Sequence, residues 1–125
     1  MKKYLIILMC ALSLSACKQA STQISDNATQ INAALAAHQA VLLDVRSPEE
    51  FNSGHVNGAI LAPHDSIAQT IAGIASDKNQ TIYLYCRSGH RAGIALDTLK
   101  GMGYTKVENL GGLGDLAQYG LAVVK

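Results

Sequence analysis

Apolar runs and amphipathic stretches alternate along the chain, as they do where buried strands and surface helices take turns. Val41-Leu42-Leu43-Asp44-Val45 and Thr81-Ile82-Tyr83-Leu84-Tyr85 are nearly unbroken apolar runs, the pattern of strands covered on both faces of a parallel sheet. Ile31, Ala34 and Leu35 fall on one helical face and predict a first helix over 28–38, with Ser25 or Asp26 as its cap. Ser47-Pro48-Glu49-Glu50 supplies an N-cap serine, a proline for the first turn and a glutamate at the capping-box position. A short helix carrying Phe51 therefore starts there and ends at Gly54, and residues 55–61 turn into a short strand closed by Pro63.

Farther along, Asp65 or Ser66 is placed to cap a third helix whose Ile67, Ile71 and Ile74 share one face. A fourth helix, predicted over 89–102, aligns Ala92, Ala95, Leu96 and Leu99, with Gly103 suited to the left-handed residue beyond its end. Residues 107–110 read as a last strand, and Gly111-Gly112 leads to a short helical segment through Leu116 to Tyr119. Such alternation with brief connections predicts an α/β fold, a central parallel sheet of about five strands with helices on both faces. Sheets of this kind bind ligands beyond the carboxyl ends of their strands, which places Asp44, Arg46 and Cys86 on one rim.

The first sixteen residues stand apart from this pattern. Lys2 and Lys3 precede an apolar stretch from Tyr4 to Leu14 that has the length of a signal-peptide core and is short for a membrane span. Leu14-Ser15-Ala16-Cys17 resembles the lipobox of bacterial lipoproteins, which implies cleavage before Cys17 and lipidation of its thiol. The organisation expected is a lipoprotein signal peptide over 1–16, a lipidated tether over 17–24 and a folded domain over 25–125. Lys18, in place of an aspartate, is the pattern that goes with sorting to the outer membrane in enteric-type lipoproteins. The expected location is the bacterial cell envelope, with the domain facing the periplasm and the membrane engaged through the lipid anchor.

Composition narrows the function. Without Lys2 and Lys3 the chain keeps eight basic against nine acidic residues and has no basic run, so no nucleic-acid partner is expected. No histidine spacing matches a metal site, and neither a metal nor another cofactor is expected. Of three cysteines, Cys10 would leave with the signal peptide and Cys17 would be lipidated, so Cys86 would remain as the one thiol. It lies where a strand feeds a helix N-terminus, among unpaired backbone N–H groups and beside Arg87 and Arg91, surroundings that favour a thiolate. Cys86 is the candidate nucleophile.

Several segments recur together in the order and spacing of a known family. They are Asp44-Val45-Arg46 with Glu50 and Phe51, Gly54-His55-Val56, Gly58-Ala59-Ile60, Cys86-Arg87-Ser88-Gly89-His90-Arg91, Gly103-Tyr104 and Leu110-Gly111-Gly112. From about residue 25 to 124 the chain resembles the rhodanese homology domain, in its single-domain form. The resemblance implies a thiosulfate-type sulfurtransferase that moves sulfane sulfur through a persulfide on Cys86 to a thiol or cyanide. A protein acceptor is compatible with the open site of a single domain. It also implies a substrate-binding loop of Arg87, Ser88, Gly89, His90 and Arg91, with Asp44 and Arg46 as candidate loop supports. Arg46 and Glu50, four apart at a helix start, are expected to form a structural ion pair, and His55 to bond backbone.

Alternatives follow from the same residues: a persulfide carrier or interaction module with little turnover, or a phosphatase or arsenate reductase. The last two resemble this fold but carry five residues between cysteine and arginine, whereas four separate Cys86 from Arg91. The family's usual tryptophan after the glycine pair is missing, leaving Leu113, Leu116 and Tyr119 to cover that part of the core.

Overall fold

A computed structural model describes residues 23–125. Helix α1 (Gln23–Ala36) leads to strand β1 (Ala40–Asp44), helix α2 (Pro48–Ser53), and the short strands β2 (His55–Val56) and β3 (Ile60–Leu61). Helix α3 (Ile67–Ile74), strand β4 (Thr81–Cys86), helix α4 (His90–Gly101) and strand β5 (Lys106–Gly112) follow, then a 3-10 helix (Leu113–Tyr119) and strand β6 (Val123–Val124). Four strands form a parallel sheet in the order β3-β1-β4-β5. β2 stays outside it and pairs antiparallel with β6.

Successive residues of β1 and β4 point to opposite faces, and each face has its own core. Leu43, Val45, Ile82, Leu84 and Cys86 face Ile67 and Ile71 of α3 and Ala92, Ala95 and Leu99 of α4. Ala40, Leu42, Tyr83, Tyr85 and Leu110 face Ile31 of α1, Val56 and Leu116. This two-sided burial explains the unbroken apolar runs. Leu113 and Tyr119 pack beside Leu116, as expected where the tryptophan is missing.

Most expected elements are present, with some changes. α1 already begins at Gln23, so Ser25 and Asp26 lie inside it rather than capping it; residues 23–27 hold no glycine or proline that would stop a helix. Ser66 occupies the N-cap of α3, but its hydroxyl donates to the Pro63 carbonyl, 3.4 Å away, and makes no cap bond. Met102 and Gly103 close α4, Gly103 with the left-handed φ of 98° expected of it. The sheet has four strands rather than about five. The signal peptide, the lipobox with Cys17, and the tether up to residue 22 lie outside the described residues.

Candidate functional site

The site is built at the carboxyl ends of β1 and β4. Cys86, the last residue of β4, has no exposed surface. Its Sγ accepts the backbone N–H of Gly89 at 2.9 Å and that of Ala92 at 3.4 Å. Gly89 adopts φ 96°, which turns the loop back over the sulfur at little cost for a residue without Cβ. Among the described residues, the backbone N–H groups of Ser88, His90 and Arg91 have no acceptor. Two N–H groups on the sulfur, and three more without an acceptor in the same turn, suit this start of α4 to negative charge.

The loop is braced from β5. A Cβ on Gly112 would stand 2.3 Å from the Arg87 carbonyl oxygen and 3.0 Å from the Ser88 Cα, so only glycine allows this approach. The Gly112 N–H donates to Asp115 Oδ2 at 2.9 Å, which fixes the turn into the 3-10 helix. Asn109 spans the gap: its Nδ2 donates to the Gly89 carbonyl at 3.0 Å, and its Oδ1 accepts the Gly111 N–H at 2.8 Å.

Arg91 is held in place from α2. Its Nη1 and Nη2 donate to Glu50 Oε1 and Oε2 at 2.7 and 2.9 Å. The same carboxylate accepts the Ser47 N–H at 3.3 Å, while Ser47 Oγ accepts the Glu50 N–H at 3.2 Å, closing the expected capping box. Glu50 thus caps α2 and aims Arg91 at once. The guanidinium holds the Glu50 carboxyl down at about 2, against an ordinary 4.5. The Arg91 pKa is raised, chiefly by the Glu50 hydrogen bonds and to a smaller degree by the charge of nearby Cys86.

The depressed Glu50 value has a consequence for stability. Its contribution is complete above pH 4.5 and is lost as pH falls toward 2. Thermal midpoints of Glu50→Gln and wild type are expected to differ by a constant amount near neutrality, and the gap to close across that acid window. A gap independent of pH would contradict this.

The expected Arg46–Glu50 pair does not form, because Arg46 turns inward to Asp44. Arg46 Nε lies 2.9 Å from Asp44 Oδ1 and its Nη2 lies 2.7 Å from Asp44 Oδ2, while Nη2 also donates to the Gly54 carbonyl at 2.7 Å. The Tyr85 hydroxyl donates to Asp44 Oδ2 at 2.8 Å and accepts the Val56 N–H at 2.9 Å. Burial first of all, then the neighbouring Asp44, pushes the Tyr85 phenol up. The Arg46 pKa is raised, chiefly by its hydrogen bonds to Asp44. This network of hydrogen bonds ties β1, β2 and β4 together. Asp44 and Arg46 are thus buried and committed to each other, to Tyr85 and to the Gly54 carbonyl.

Arg87, Ser88 and His90 are exposed around the rim, and none of their side chains has a hydrogen-bond partner among the described residues. Arg91, by contrast, spends both terminal nitrogens on Glu50, so it offers a fixed charge more than a free pair of donors. His55 bonds backbone as expected, its Nδ1 lying 2.9 Å from the Phe51 carbonyl with the two rings stacked at 3.7 Å. Asn109, Asp115 and the Tyr85 hydroxyl escaped the sequence reading. A polar Asn109 inside the last strand was the available signal. Among the described residues no cluster of His, Cys, Asp or Glu could hold a metal ion.

Known proteins are similar to this chain. The thiosulfate sulfurtransferase PspE of Escherichia coli (strain K12) is 47% identical over 75 residues, which cover 60% of this chain and 72% of PspE. A sulfurtransferase of Allochromatium vinosum is 35% identical over 85 residues, 67% of this chain and 78% of that protein. Among solved structures, a rhodanese with anions from E. coli superposes with a TM-score of 0.65 at 43% identity, covering 69% of this chain and 98% of the other. The Rhodanese-like domain family matches residues 27–116, a span that holds both the Cys86 loop and the glycine pair bracing it. With its fold, its sulfur loop and that match in agreement, the chain belongs to the rhodanese-like domain family.

Proposed function

We propose that this protein is a thiosulfate-type sulfurtransferase in which Cys86 carries the transferred sulfur. The observation that carries the reading is the sulfur itself, buried at a strand end with two backbone N–H groups donating to it. The Cys86 thiolate attacks the outer sulfur of thiosulfate, an S–S bond forms, and the old S–S bond breaks with its electron pair leaving on sulfite. The product is an anionic persulfide, and the N–H groups of Ser88, His90 and Arg91, which have no acceptor among the described residues, would receive its charge. Cyanide or a thiolate then attacks the terminal sulfur, and the thiolate of Cys86 is regenerated. No outside oxidant or reductant is needed.

Arg87 is the rim cation free to meet the donor's oxygens, with Ser88 and His90 beside it, while Arg91 supplies fixed positive charge. Because Cys86 has no exposed surface, donor entry requires the atoms that cover the sulfur to part. The test is thiocyanate formation from thiosulfate and cyanide, followed alongside the intact mass. Steady turnover supports the enzyme, whereas a stable gain of one sulfur without thiocyanate identifies a carrier, and neither product refutes the reading.

The sequence further supports a domain over 25–125 held at the bacterial envelope, facing the periplasm and sorted to the outer membrane, by a lipid on Cys17 after loss of residues 1–16. Among the described residues no helix is long and apolar enough to cross a membrane. Cys17→Ala is expected to move the protein from the membrane fraction to the soluble one, a shift that fractionation and immunoblotting would read. Full retention in membranes would count against the anchor.

A further inference from the structure

Asn109 lies on β5, outside the loop that carries the sulfur, yet its carboxamide is committed at both ends. Oδ1 accepts from Gly111 N–H and Nδ2 donates to the Gly89 carbonyl. Those two bonds fix the amide's orientation, since a flip would set its NH2 against an N–H and its oxygen against a carbonyl. The Gly89 carbonyl also accepts the N–H of Gly93 at 3.0 Å, so it is pinned between α4 and β5. A trans peptide points its C=O and its N–H in opposite directions. Holding the Gly89 carbonyl toward Asn109 therefore turns the His90 N–H the other way, and it fixes the residue whose own N–H donates to the sulfur.

We infer that Asn109 is a positioning residue for sulfur transfer: through the Gly89 carbonyl it holds in place the residue whose N–H donates to the Cys86 sulfur. Glycine at 89 makes this necessary. With φ at 96° and no side chain of its own, Gly89 leaves the peptide that follows it free to rotate unless its carbonyl is held. α4 supplies one hold through Gly93, and Asn109 supplies the second. The inference rests on the reading of Cys86 as the sulfur-transferring group.

Two near-isosteric variants separate the bonds. Asn109→Asp keeps an acceptor for the Gly111 N–H and loses the donor to Gly89. Asn109→Leu loses both without adding charge. In each, the pH profile of Cys86 alkylation by iodoacetamide is expected to move toward alkaline pH. Also expected is a fall in kcat/KM for thiosulfate of about tenfold, the size of one net hydrogen bond, borne by kcat more than by KM. Asn109→Gln, which keeps both amide groups, is expected to recover part of the loss. If both variants alkylate and turn over as wild type does, whatever their thermal midpoints, Asn109 has no such role. Alkylation reads the sulfur without any donor, so a wild type that makes no thiocyanate while its variants alkylate abnormally would refute the enzyme and keep the positioning.

Discussion

Cys86→Ser is expected to lower thiocyanate formation from thiosulfate and cyanide by roughly a thousandfold or more, with little change in fold. A serine hydroxyl is protonated at neutral pH and is a weak nucleophile without a base at hand; the Cys86 Sγ is met by N–H donors and no base. Losses of that order accompany removal of a nucleophile elsewhere. The fold should tolerate the change, because a hydroxyl oxygen can accept the Gly89 and Ala92 N–H groups in place of sulfur, leaving neither of these two donors unpaired. The assay is paired with intact mass: wild type gains one sulfur after thiosulfate, and the variant does not. Equal rates for the two proteins would end the proposal that Cys86 is the nucleophile.

Gly112→Ala should damage both stability and rate, although it adds a single methyl group. The new carbon would stand 2.3 Å from the Arg87 carbonyl oxygen, and the atoms in its way are backbone, which cannot swing aside as a long side chain can. Either β5 or the loop must move. Overpacking of this kind costs about 1–3 kcal/mol, and a displacement of about 1 Å at a reacting centre can cost on the order of a hundredfold in rate. Gly114→Ala, two residues on, is the matching control, since nothing lies within 4 Å of the carbon it would add. Melting temperature and kcat/KM measured for the pair are expected to fall together for Gly112→Ala and to hold for Gly114→Ala. A Gly112→Ala protein with wild-type turnover would show that the close approach is not needed.

What could be read from the sequence was local. The apolar runs of β1 and β4, the capping box of α2 and the stripe of α4 each declare themselves within a few residues, and so does a cysteine set between a strand and a helix. The partners of the charged groups did not. Arg46 lies four residues from Glu50, which suggested a pair, but Asp44 on β1 and the Gly54 carbonyl offer it a buried seat that helical spacing does not reveal. Glu50 then finds Arg91, 41 residues away in sequence. β6 went unseen because two exposed valines at the chain's end carry no pattern, and its partner β2 consists of two residues as well. Asn109 and Gly112 matter through what they touch across the β4–β5 pair, which only the folded sheet brings together.

That dependence on β5 bears on the order of events as the chain folds. Asn109 reaches Gly89 across twenty residues, and the glycine pair closes on Arg87 only once the outermost strand of the parallel sheet has docked. Parallel pairing over such separations is slow compared with helix formation. A chain that has collapsed around β1, β4 and α4 but still lacks β5 would hold Cys86 without its brace. The brace on the Cys86 loop is thus complete only once β5 has docked, and a chain truncated before Lys106 would lack both Asn109 and the glycine pair.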